Sequence, residues 1–383
     1  MLEGLYRGVT GAMNLTPASW WARPSGPPGP VTGLLHGASA GEVKAALATL
    51  PQLETCTGSR DWVVSTGTEA GLAMGAACCL PRDLPRLVDQ FLDHLRPRAI
   101  VLVEAELWPN LLRATEERRI PVGVLGAQVS QRTARRWSRV PEAAGRLFGK
   151  VTAFAAASVG DAERLVSLGV APERVAVTGW LKWPDEPGAA PGIDGLESEL
   201  GQRFSGSLAT APLLVLGSVH PGELARVASA LTGSHLAAGN SRWLVVPRHV
   251  RSCRALRREA EHVCAAGSVS VESRFGVLRS WYSLADAAFV GGGAAGRGVH
   301  NLLEPVQAGL RPLCFLERGD PAQVGEVLVG EGLAIELSGG ARGQGLEAEV
   351  LPSTTDAWPR LRAQWDGREA GVRFLMSRGV LRP

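Results

Sequence analysis

The sequence predicts an α/β chain built from two Rossmann-like halves. Three observations predict it. Short apolar, β-rich runs alternate with helix-like stretches along the chain, which implies parallel βαβ units. A Pro-, Gly- and Ala-rich interval interrupts that alternation once, near the middle. The 383 residues are 45% hydrophobic and 20% charged, enough for two cores and inconsistent with a disordered chain.

In order, residues 31–35 read as a short buried strand, followed by a helix over 41–53 with Ser39 as its N-cap. A strand over 62–65 precedes a helix over 69–79, and 84–95 is amphipathic. Strands at 99–103 and 121–125 flank a helix at 108–118. After a strand at 151–157, a helix at 161–168 ends at Gly169, an ordinary residue just past a helix terminus. The interval 183–208, opened by Trp183 and Pro184-Asp185-Glu186-Pro187-Gly188, reads as a linker. A second series follows, with strands at 213–216, 243–247, 287–290 and 313–316. Its helices are expected at 221–231, at 251–265, from about 301 and from about 355. The expected organisation is an N-terminal segment 1–30, a domain over 31–182, the linker 183–208, and a second domain over 209–383 that includes the terminal helix. Two such domains are expected to face a cleft. Ligands of such sheets sit at the carboxyl ends of the strands, so residues just after strands carry most weight.

A net charge of +3 gives no electrostatic case for nucleic-acid binding. Only Lys44, Lys150 and Lys182 among the 40 basic residues are lysines, which singles each of them out. The six cysteines have neither CxxC nor metal-ligand spacing, so reduced thiols are expected and a zinc site is not. The uncharged stretch 8–22 is too short and too polar for a membrane span. Leu2, Leu5, Tyr6, Val9, Met13, Trp20 and Trp21 suit either shallow contact with a membrane surface or packing on the domain.

Five strand-end constellations can do chemistry. In His36-Gly37-Ala38-Ser39-Ala40-Gly41-Glu42 the glycines permit a tight turn, and Glu42 lies in the first helical turn. It can accept a proton from a hydroxyl, or simply complement the helix dipole. In Glu104-Ala105-Glu106-Leu107-Trp108-Pro109-Asn110 one acid can face the active edge while the other caps or pairs. Gly217-Ser218-Val219-His220-Pro221-Gly222-Glu223 is a strand, turn and helix whose N-terminus can face an anion. In Val246-Pro247-Arg248-His249 the arginine suits a phosphate or carboxylate, or a surface salt bridge. The glycine loop from Val290 through Gly296, Arg297 and Gly298 to His300-Asn301 can cradle a phosphate, but it is neither a P-loop nor a GxGxxG. Glu304, one turn further on, can take ribose hydroxyls.

These motifs, in this order, resemble the bacterial 3-deoxy-D-manno-octulosonic acid (Kdo) transferases over roughly residues 34–315. His36–Glu42 resembles the family's first signature, with Glu42 at the place of its general base. The block from Arg96-Pro97-Arg98 to Asn110 is very similar to the family's acidic block, and Glu104 matches its first acid. Thr178-Gly179-Trp180-Leu181-Lys182 resembles the end of the first domain. Gly217–Glu223 and Pro247-Arg248-His249 resemble its nucleotide-side motifs, and Trp281–Asp286 through Pro305 completes the pattern. The chain departs from the family at Gly126-Ala127-Gln128, where Asn–Ala–Arg is usual, and at Trp180, where Asn is usual. It also departs at Gly298-Val299, usually a glycine pair, and at Val277, usually an acid.

The resemblance implies a GT-B fold and a metal-independent, inverting transfer of Kdo from CMP-Kdo to a lipid A precursor in lipopolysaccharide synthesis. Glu42 and Glu104 are then the catalytic residues. Ser218, His220, Pro247, Arg248, Gly296, Arg297, His300, Asn301 and Glu304 hold the donor nucleotide. Ser39 and Lys182 are candidate substrate contacts. No cofactor is expected. The expected location is the cytoplasmic face of the inner membrane, bound peripherally, or the cytoplasm. Two rivals stay open: a diverged, inactive homologue that binds a nucleotide or lipid, and another sugar-nucleotide enzyme of the same fold.

Overall fold

The computed structural model describes residues 26–104, 107–182, 195–204, 209–265, 267–274, 276–296, 298–316, 324–337 and 361–383. The N-terminal residues proposed for membrane contact, most of the linker, Glu106 and Arg297 lie outside the described residues. The chain divides into two units, Met1–Trp183 with Arg362–Pro383, and Pro184–Leu361.

The first unit holds a seven-stranded sheet of β1 (Gly33–Gly37), β2 (Trp62–Thr66), β3 (Cys78–Cys79), β4 (Ile100–Val103), β5 (Val122–Ala127), β6 (Ala153–Ala156) and β7 (Val175–Val177). The order is β3-β2-β1-β4-β5-β6-β7 and every pairing is parallel. Every residue of β1 to β6 is buried, because helices cover both faces of a parallel sheet. Leu34, Ile100, Leu102 and Phe154 pack on one face. Leu35, Val101, Leu125 and Ala155 pack on the other. β1 runs two residues beyond its predicted end, since His36 and Gly37 pair with Ser65 and Thr66. The predicted helix 69–79 stops at Ala73. Gly75 turns the chain with φ +108°, and Cys78–Cys79 joins the sheet edge beside β2.

The terminal helix Gly367–Ser377 corrects the predicted domain boundary. It was expected with the second domain, yet it belongs to the first unit. Val372 and Leu375 are fully buried in the core that contains Leu35, Val101 and Leu125. Two glycines let this helix approach: a Cβ on Gly371 would lie 2.7 Å from Leu125 Cδ2, and one on Gly123 would lie 2.8 Å from Leu375 Cδ1. Trp180 fastens the segment that precedes the helix. Its N–H donates to Trp365 O (2.9 Å), its carbonyl accepts from Gly367 N (3.0 Å), and the two indoles lie 4.9 Å apart. The tryptophan found where the family usually has asparagine is therefore a packing residue.

The second unit holds β8 (Leu213–Val219), β9 (Arg242–Pro247), β10 (Val269–Val271), β11 (Ala287–Val290), β12 (Leu313–Cys314) and β13 (Ile335–Glu336), ordered β10-β9-β8-β11-β12-β13 and all parallel. The first six strands of sheet one and the six of sheet two share one connectivity. The chain starts in the middle, adds strands on one side, then crosses to the other. The crossover is the switch point, where a crevice opens at the carboxyl ends. It lies between β1 and β4 in the first unit and between β8 and β11 in the second.

Candidate active site

At the first switch point, Glu42 follows β1 and Glu104 follows β4. Gly37 lets the helix Ala40–Thr57 start directly over the strand end, since a Cβ there would sit 2.7 Å from Glu42 C. Ser39 caps that helix as expected, its Oγ accepting from Glu42 N at 3.4 Å. The Glu42 side chain folds back. Ala38 N donates to Oε2 (2.8 Å) and Ser39 Oγ to Oε1 (2.8 Å). The helix start has the Ser-x-x-Glu pattern of a capping box, with the return bond going to Ala38 N in place of the N-cap N–H; Glu42 is nevertheless only 9% exposed. Burial, then the charge of Glu104, push the Glu42 pKa above the usual carboxylate value; Ser39, Lys182 and Ala38 hold it back in part.

Glu104 has φ +62°, a conformation that non-glycine residues rarely adopt and that clusters at functional sites. Its carboxylate is ion-paired with Lys182, which is roughly half exposed. The structure thus joins Ser39, Glu42, Glu104 and Lys182 into one cluster. Beside it, His36 is fully buried, accepts or donates at Nδ1 with Ser65 Oγ (3.0 Å), and meets Trp108 edge-on (5.9 Å). Burial lowers its pKa to about 4, so it is neutral at pH 7.

At the second switch point, Ser218 sits at a bulge of β8 with φ +55°. His220 is buried, and its Nε2 lies 2.8 Å from His300 Nε2, so one imidazole donates to the other. The His249 ring stands 6.0 Å from His220. Pro247 ends β9, and the Arg248 N–H donates to Val219 O (3.0 Å) while its side chain is exposed. Asn301 Oδ1 accepts from Leu303 N (3.1 Å) at the start of helix Leu303–Gln307, and its amide donates to Glu304 (3.2 Å). Gly296 is exposed with φ +66°.

At both anion cradles read from the sequence, backbone N–H groups bond to carboxylates of the chain itself. The helix expected from 221 begins at Leu224, and the N–H groups of Gly222 and Ala225 donate to Glu259 (2.7 and 3.3 Å). The glycine loop also holds a carboxylate of the chain itself. Glu223, with no exposed surface, accepts from Gly292 N (2.9 and 3.1 Å) and His220 N (2.8 Å). Burial raises its pKa, while the backbone N–H groups of His220, Gly292, Ala295 and Ala294 lower it. The sequence assigns no role to Glu223, because a position two residues after Pro221 in a polar turn carries no sign of burial.

Two all-parallel Rossmann-type sheets, each with chemistry at its switch point, define an α/β protein of the GT-B class. In a UDP-GlcNAc 2-epimerase from Methanocaldococcus jannaschii the same fold is found at 10% identity and a TM-score of 0.55, over 90% of this chain and 99% of that one. Residues 18–184 match the family described as 3-deoxy-D-manno-octulosonic-acid transferase (kdotransferase). A 3-deoxy-D-manno-octulosonic acid transferase from Haemophilus influenzae is 27% identical over 71% of this chain and 67% of its own length. One from Chlamydophila psittaci is 29% identical over 75% and 69%. The chain is similar to the Kdo transferases, over its first unit by the family match and over about three quarters of its length by these relatives. It spans about two thirds of the length of these relatives.

Proposed function

We propose that the protein is an inverting glycosyltransferase that moves Kdo from CMP-Kdo to a lipid A precursor, with Glu42 as general base. The observation that carries this reading is the buried Glu42 carboxylate. It has a raised pKa, sits at the switch point, and is flanked by the Glu104–Lys182 pair. A raised pKa strengthens the base. Each Glu42 oxygen has one donor from the chain, and a carboxylate oxygen has a further lone pair for a hydroxyl. The acceptor hydroxyl gives its proton to Glu42 as its oxygen bonds to the anomeric carbon. The bond from that carbon to the phosphate oxygen breaks on the opposite face, and CMP leaves with the electron pair. Lys182 offsets the charge of Glu104 and, with Ser39, is available to substrate.

In the second unit, Arg248 and the His220–His300 pair meet the charge that develops on the phosphate. Ser218, Pro247, Gly296, Arg297, Asn301 and Glu304 complete the nucleotide side. The reaction is read as metal-independent, so chelator should leave the rate unchanged. Among the described residues, no helix is long and apolar enough to cross a membrane. The proposed location is the cytoplasmic face of the inner membrane, bound peripherally, or the cytoplasm.

The test is a transfer assay with CMP-Kdo generated in place and a lipid A precursor, read by mass spectrometry. Kdo added by the native protein and absent with Glu42→Ala and Glu42→Gln supports the reading. No added mass with the native protein overturns it for this acceptor.

A further inference from the structure

The glycine loop looks, by sequence, like a phosphate cradle awaiting its anion. In the structure it already encloses one. Glu223 lies at the switch point of the second sheet with no exposed surface. Its carboxylate takes the N–H groups of Gly292 and His220. A Cβ on Gly291 would lie 2.7 Å from Glu223 Oε2, so this glycine is required for the carboxylate to fit. The contacts form a closed circuit. Glu223 ties His220 to Gly292, the His220 ring meets the His300 ring, and His300 N donates to Gly291 O (3.0 Å). Gly291 N donates in turn to Gly217 O (2.9 Å), which anchors the loop on β8.

We propose that Glu223 is a positioning residue for the donor nucleotide: it acts as a built-in anion that fixes the glycine loop and the His220–His300 pair in the form that receives the phosphate. The claim rests on the reading that this unit binds CMP. The inner amide of the loop, at Gly292, is committed to Glu223. The N–H groups of Ala294 and Ala295 also face Glu223, so the donor phosphate is met by what the circuit presents at its rim, the imidazole pair. Glutamine has the same shape as glutamate but turns an N–H toward amides that also donate. Such a mismatch in a buried site removes the clasp without emptying the space.

The experiment measures CMP affinity by calorimetry, with donor KM and kcat, in the full chain and in Glu223→Gln and Glu223→Asp. Aspartate keeps the charge but withdraws it by about 1.5 Å, one C–C bond. It serves as the second variant should Gln fail to fold. The expected result is about tenfold or greater loss of CMP affinity and a matching rise in donor KM, a fall in kcat as well because the displaced His220–His300 pair also meets the charge on the leaving phosphate, and unchanged far-UV circular dichroism. A merely structural residue would lower the melting temperature and the active fraction while leaving CMP affinity of the folded variant within about twofold. That result overturns the proposal. A native protein that binds no CMP overturns the donor reading itself, and with it this inference.

Discussion

In the first unit the chain just after β1 and β4 carries the acids Glu42 and Glu104, and Lys182, which follows β7, pairs with Glu104. In the second, the ends of β8 and β11 carry imidazoles and loop amides, organised around a buried carboxylate. The connectivity is the same. Each site even contains a non-glycine residue with positive φ, Glu104 in one and Ser218 in the other. The difference teaches that the sheet supplies position and the loops supply chemistry. A base needs a carboxylate whose proton affinity is tuned by burial and neighbours. A phosphate site needs donors held still.

The largest expected effect tests the first unit alone. Glu42→Gln should lower transfer by about 10²–10⁴-fold, the range for loss of a general base. CMP affinity, assigned to the other unit, should stay the same. Equal loss of both would break the proposed division of labour. Next comes the terminal helix, the structural element that the first unit gains from the far end of the chain. Leu375→Ala should destabilise the fold by about 2–5 kcal/mol, the cost of emptying a buried leucine site. Chemical denaturation checks the loss. CMP binding under native conditions should persist, because among the described residues Leu375 packs in the core of the first unit.

Substitutions of the charged neighbours should move the pH profile in opposite directions. Glu42 acts when ionised, so kcat/KM rises with pH through its pKa, which lies above the ordinary carboxylate value. Glu104→Gln removes a like charge, lowers that pKa, and moves the acid limb to lower pH. Lys182→Met removes the cation that offsets it and moves the limb to higher pH. Both shifts should be modest, because the pair is partly exposed and solvent screens its charges. Shifts of the same sign, or none, would show that the acid limb belongs to another group.

The alternation of strands and helices was legible because a parallel sheet buried on both faces needs continuous apolar runs such as Ile100–Val103. Glu42 and Glu104 were legible because they follow such runs. The placement of helix Gly367–Ser377 was not, since local pattern says nothing about which of two sheets a distant amphipathic helix will cover. Glu223 was missed for a related reason. An acid in a polar turn looks solvated until the fold closes a glycine loop over it. β7 and β10 were missed because none of their residues is buried, which leaves them without the apolar signature.

The smallest expected effect concerns Gly126, where the family usually has asparagine. This residue sits at a β-bulge with φ +59°, a region that glycine adopts freely and asparagine better than most. The exchange of one for the other therefore preserves the same backbone turn. Gly126→Ala should cost about 1–2 kcal/mol, the penalty for a side chain in the left-handed region. Gly126→Asn should cost less if the dihedral is the constraint. A second constraint competes with it. A Cβ at this position would lie 2.8 Å from Leu181 Cγ, and Leu181 is packed in the core beside Leu125. Denaturation curves of the two variants separate the causes. A smaller loss for asparagine assigns the glycine to backbone conformation. Equal losses assign it to Leu181, and the double variant Gly126→Asn with Leu181→Ala should then recover part of the difference.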